Sequence, residues 1–94
     1  MLTGNQIRAA RVLAGLGRAQ AATLAGLSRD AIIDIESAGP SVLRSDDSAA
    51  RKVRQALEAA GVEFLEDGAP GVRLRPAHRE EGMRTEALNA ENDD

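Results

Sequence analysis

Apolar positions along this chain recur every three or four residues for about its first sixty positions, then every second residue. Ile7, Ala10, Leu13 and Ala14 make one side of a helix, and Thr3 with Gln6 three residues later is a capping-box pair that starts it, which predicts a first helix over residues 4–15. Gly15 and Gly17 flank Leu16, two poor helix positions close together, so the chain turns there. A second helix is expected over residues 18–25, with Ala21, Ala22 and Leu24 available for burial. Gly26 stops it in the left-handed conformation, and Leu27 folds back as the apolar partner of such a stop. Ser28 then caps a third helix, and Asp30 lies in the positive end of its dipole. Ile32 and Ile35 share one side of that helix; Arg29, Asp30, Ile33 and Asp34 lie toward the others.

Residues 38–45 contain Gly39-Pro40 and predict a loop. A fourth helix over residues 46–60 is opened by Asp46, Asp47 and Ser48, carries the stripe Val53, Ala56, Leu57 and Ala60, and ends at Gly61. The period then shortens to two. Val62 and Phe64 alternate with Glu63, Val72 and Leu74 alternate with Arg73 and Arg75, and "EDGAPG" between them has a turn composition, which predicts antiparallel strands at 62–65 and 72–75. An isolated two-stranded ribbon is only marginally stable in water, so it must pack on the helices or on a second subunit. From Pro76 the chain is polar and acidic, with Met83 and Leu88 its sizeable apolar residues. The expectation is a mainly α domain over residues 1–75, four to five helices with a short C-terminal β-hairpin (62–75), followed by a disordered acidic tail over 76–94 that carries some nascent helix near 85–90.

Composition narrows the chemistry. An apolar content of 43% suits one modest core, and with Phe64 the single aromatic residue that core is built from Leu, Ile, Val and Ala. The chain has no cysteine and one histidine, His78, which falls in the tail, so thiolate and histidine metal sites cannot be assembled. No phosphate-loop or dinucleotide-loop glycine spacing occurs, and the adjacent acids Asp46-Asp47 and Glu80-Glu81 have the look of solvated or capping residues. Neither catalysis nor a cofactor is expected. The absence of an 18-residue apolar span, and of a basic segment leading an apolar run, predicts a soluble cytoplasmic protein without a membrane partner. The net charge of −3 is uneven: residues 1–63 hold eight Arg/Lys against seven Asp/Glu, whereas residues 64–94 hold four against eight. A weakly positive body is compatible with DNA, with modest sequence-independent affinity and strong salt dependence.

What stands out is helix, Gly-Leu-Ser, helix within residues 18–37. Two short helices crossing steeply need a tight glycine turn, a small residue near the crossing (Ala22) and a capped second helix whose outer side can enter a major groove. Capped helix pairs also occur in ordinary bundles, so the motif alone leaves a purely structural role open. At this point "LTGNQIRAARVLAGL", "LSRDAIIDIESAG" and above all "ARKVRQALEAAGVEFLEDGAPGVRLR" resemble the first helix, the turn with recognition helix, and the C-terminal helix with ribbon of XRE-type helix-turn-helix proteins, the Cro and lambda-repressor-like regulators. The resemblance spans residues 2–75.

The resemblance implies a sequence-specific regulator of transcription, such as a repressor, that binds double-stranded DNA as a homodimer through the fourth helix or the ribbon. It implies that the helix begun by Ser28 enters the major groove, with Arg29 and Asp30 at base-reading positions and Ile33 and Asp34 beside them. Arg29 can pair with guanine, Asp30 can accept from the cytosine amino group, and Ile33 can meet a thymine methyl. Arg18 neutralises a phosphate, and Arg44 with Arg8 or Arg11 rims the same side. Glu36 matches a frequent acid of the family with a structural role. The chain departs from the family in four places. Gly17-Arg18 replaces the usual Ser/Thr-Gln, Ala21-Ala22 replaces Leu-Ala with Leu24 as a compensating residue, Ile33 replaces a commonly small or polar residue, and Asp34 falls where a polar or basic residue is frequent. Asp34 either faces the groove or lies along the surface paired with an arginine. Arg51, Lys52 and Arg54 form a basic cluster that is either a solvated helix side or a phosphate contact. Two other functions fit the same residues: an antitoxin whose acidic tail wraps a protein partner, and a helix-turn-helix-derived interaction module without operator binding.

Overall fold

The computed structural model describes residues 1–66 and 68–76. Four helices, α1 (Gly4–Leu13), α2 (Arg18–Ala25), α3 (Arg29–Glu36) and α4 (Ser48–Ala59), are followed by an antiparallel hairpin of β1 (Val62–Leu65) and β2 (Gly71–Leu74). The molecule is thus mainly helical with a two-stranded ribbon. The expected tail falls, beyond Pro76, outside the described residues.

Each helix start follows from its cap. Thr3 Oγ1 accepts from the Gln6 amide at 3.1 Å while Gln6 Oε1 accepts from the Thr3 amide at 3.0 Å, a complete capping box for α1. Of the two aspartates before α4, Asp47 is the cap, its Oδ1 accepting from the Ala50 amide at 3.0 Å, so the helix begins two residues later than the acidic pair suggested. The ends of α1 and α2 repeat one device. Gly15 (φ 75°) and Gly26 (φ 71°) take the left-handed conformation, and the following leucine amides reach back five residues, Leu16 to the Arg11 carbonyl at 3.0 Å and Leu27 to the Ala22 carbonyl at 2.8 Å. That closure ends α1 at Leu13, short of the expected residue 15.

Ile7, Ala10, Ala22, Ile32, Ile35, Val53, Leu57 and Val62 form the buried core, drawing on all four helices and β1. Several residues expected inside, Ala60 among them, lie elsewhere. Leu24 is 58% exposed: α2 turns Ala22 to the core, and a residue two positions on is about 200° around the helix. It cannot replace the leucine missing at Ala21. Leu13, at the end of the α1 stripe, is 43% exposed.

Gly4 lets the start of α1 lie against the end of α3, since a Cβ there would come within 2.6 Å of the Ile35 carbonyl oxygen and 2.9 Å of the Gly39 nitrogen. The hairpin pairs Val62 with Leu74, Glu63 with Arg73, Phe64 with Val72 and Leu65 with Gly71, so β2 begins one residue earlier than the alternation implied. It packs on α1 and α4. Buried Gln6 joins it to the bundle: besides closing the α1 cap, its Nε2 donates to the carbonyls of Leu65 at 3.1 Å and Gly71 at 3.0 Å, the two ends of the turn.

Candidate nucleic-acid interface

The segment from α2 to α3 is held by local chemistry at three points. Gly26 closes α2, Ala21 and Ala22 are small enough to be buried against the neighbouring helices, and Ser28 Oγ accepts from the Ala31 amide at 3.1 Å to begin α3. Alternation around α3 then fixes its two sides. Ile32 and Ile35 are buried, whereas Ser28, Arg29, Asp30, Ile33 and Asp34 are exposed, Ile33 by 38% of its surface. Among the described residues nothing covers that outer flank. Asp34 forms no ion pair among the described residues, so the pairing with an arginine that would lay it along the surface is not present there.

Glu36, the last residue of α3, is 7% exposed and is held by two arginines. Arg11 Nε donates to its Oε2 at 2.7 Å and Arg11 Nη2 to its Oε1 at 3.3 Å, while Arg18 Nε donates to Oε1 at 3.2 Å. Arg18 opens α2 behind Gly17, which has no side chain with which to cap the helix; the reciprocal half of the box survives, with Gln20 Oε1 accepting from the Gly17 amide at 2.7 Å. Arg11 is therefore an internal strut. Arg18 is half-buried, with its charge partly committed.

The other candidate cations divide in the same way. Arg44 is exposed and chelated by Asp46 through Nε and Nη2, both at 2.9 Å. This hydrogen bonding raises the guanidinium pKa and draws the Asp46 carboxyl below its usual range. Arg54 lies over the Phe64 ring at 5.1 Å and binds Glu58 and Glu66. Burial lowers its pKa and the two carboxylates more than offset this, and Glu66 is held below the ordinary carboxylate range chiefly by Arg54. Within the basic cluster of α4, Arg54 is thus a link to the hairpin, Arg51 Nη1 donates to the Ser45 carbonyl at 3.3 Å, and Lys52 is exposed. Arg8 on α1 is exposed as well.

The structure brings Ser28, Arg29, Asp30, Ile33 and Asp34 together on one short helix, and ties Arg18 to the end of that helix through Glu36. Arg44 lies in the loop before α4 and is engaged by its own acid, Asp46. Sequence reasoning gave Glu36 a structural role but missed its partners. The signal was its position: an acid directly after the core residue Ile35 sits at the edge of the buried side and needs cations to reach it. No group of three His, Cys, Asp or Glu side chains is placed to hold a metal ion among the described residues, and no described helix is long and apolar enough to cross a membrane. A cleft of about 440 Å³ between the N-terminal segment, the loop before α4 and α4 itself is lined by Leu2, Val42, Leu43 and Ala50 together with arginines already engaged by acids or carbonyls. No family model matches the chain, and no curated protein matches it.

Proposed function

We propose that this protein is a sequence-specific, double-stranded-DNA-binding regulator of transcription of the XRE helix-turn-helix type, acting as a homodimer with α3 in the major groove. The observation that carries the reading is the division of α3: its apolar side is consumed by the core while Arg29, Asp30, Ile33 and Asp34 are left together on a flank that nothing covers among the described residues. An α-helix with side chains is about 10–12 Å across, and the major groove is about 12 Å wide. Arg29 reads guanine, Asp30 accepts from cytosine, Ile33 packs on a thymine methyl, and Arg18 contacts a phosphate at the start of α2. The ribbon's unpaired edges, or α4, provide the dimer contact.

The roles separate in binding measurements on a selected operator and on random duplex. Arg29→Ala weakens operator binding by about 1–3 kcal/mol and random binding far less; Arg18→Ala weakens both alike. Equal losses for both variants on both DNAs would refute the assignments.

One observation favours a second reading. The α3 flank carries Asp30 and Asp34 against the single cation Arg29, and Leu24 on α2 is 58% exposed, a composition that suits a protein partner. Failure of the folded protein to retard any genomic fragment at about 50 mM salt selects this interaction module over the DNA regulator.

A further inference from the structure

Glu36 has more cationic partners than its charge requires. Arg11 alone neutralises it, and every nitrogen of Arg11 is engaged: Nε and Nη2 bind the carboxylate, Nη1 donates to the Leu16 carbonyl at 3.0 Å, and its side chain is 11% exposed. The second arginine adds one bond, Arg18 Nε to Oε1 at 3.2 Å, and remains 37% exposed. Its Nη1 and Nη2 make no hydrogen bond among the described residues. The three side chains together carry one surplus positive charge, and the guanidinium nitrogens with no partner among the described residues are Arg18 Nη1 and Nη2.

We infer that Glu36 is the positioning residue for Arg18, gripping its guanidinium by Nε so that the two terminal nitrogens stand as a fork toward one phosphodiester of bound DNA. A guanidinium offers parallel donors that match phosphate oxygens, and one already held by a neighbour loses less rotamer freedom on binding than a free side chain. The end of α3 thereby sets the backbone contact made at the start of α2, which couples base reading to phosphate clamping within one unit. This inference rests on the DNA-binding reading above.

Opposite signs distinguish positioning from simple charge. Glu36→Gln raises the net charge of the three side chains by one, so charge alone makes it bind DNA more tightly; a lost grip on Arg18 makes it bind more weakly. The experiment measures the affinity of the full chain for a duplex selected on the wild type, across a salt series, for Arg18→Lys, Arg18→Gln, Glu36→Gln and the Arg18→Gln/Glu36→Gln double variant, with circular dichroism on each to establish folding. Arg18→Gln is expected to lower affinity about tenfold and reduce the slope of log K against log salt by about one. Arg18→Lys retains the slope and loses about fivefold, because an ammonium held by Glu36 has no fork left to offer. Glu36→Gln binds several-fold more weakly than wild type, yet causes no further loss in the Arg18→Gln background, where only its charge effect is left.

Tighter binding by Glu36→Gln, additive losses in the double variant, or an Arg18→Lys protein equal to wild type would overturn the positioning role while leaving DNA binding intact. A Glu36→Gln chain that fails to fold hands the decision to Arg18→Lys. A folded wild type from which no duplex can be selected brings down the DNA-binding reading itself.

Discussion

Gly4 and Gly17 stand at the starts of two helices and respond to added side-chain atoms in opposite ways. At Gly4 a methyl group would meet the Ile35 carbonyl oxygen at 2.6 Å, backbone that cannot step aside, so Gly4→Ala is expected to destabilise by about 1–3 kcal/mol through overpacking. Gly17 has φ −77° and only the flexible Gln20 side chain near its missing Cβ, at 3.5 Å. Gly17→Ser supplies the absent cap and restricts the unfolded chain, and is expected to stabilise by a few tenths to about 1 kcal/mol. Urea unfolding of the two variants checks both signs; a stabilised Gly4→Ala or a destabilised Gly17→Ser contradicts the packing described here. Polar residues with long reach were the hardest to read. Gln6 was legible as half of a capping box because its partner is three residues away, but its bonds to the Leu65 and Gly71 carbonyls span about sixty residues and leave no local trace.

Among the elements, the turns and caps were legible because each depends on a few adjacent residues: Gly26-Leu27-Ser28 encodes the end of α2 and the start of α3 within three positions. Burial was less so, since periodicity places residues around a helix without saying which arc meets the core, and Leu24 accordingly lies outside it. The α3 flank was legible for the same local reason as the turn, whereas the commitment of Arg44 to Asp46 and of Arg54 to Glu66 was not, because side-chain pairing within a loop or to a hairpin turn has no fixed spacing. The Arg54 link gives the hairpin a pH-dependent attachment to α4. Glu66 has a folded pKa below its ordinary value of 4.5, so its stabilising effect is present above that value and is lost as pH falls through the lower, folded one. Glu66→Gln is therefore expected to lose part of the neutral-pH stability and to show a flatter decline into acid. Urea midpoints measured from neutral pH into the acid range test this, and parallel curves for variant and wild type would contradict it.

For the whole molecule, charge and assembly decide what the α3 flank can do. Residues 1–63 carry a slight positive excess and residues 64–94 an acidic one, so in the proposed reading sequence-independent attraction to DNA is weak and operator binding rests on base contacts and on two half-sites engaged together. A symmetric operator of two half-sites is expected, with two chains per duplex by sedimentation; a single chain bound to an asymmetric site contradicts the dimer. Net charge and composition by themselves favour no partner; the proposal rests on which helix sides the core leaves over among the described residues. The most direct test of the α3 flank is in vitro selection from a random duplex pool at low salt, run in parallel with wild type and Arg29→Ala. The wild type is predicted to enrich a short symmetric motif in which one guanine position is lost from the Arg29→Ala pool. Enrichment of the same motif by both proteins, or of none by a folded wild type, contradicts the account.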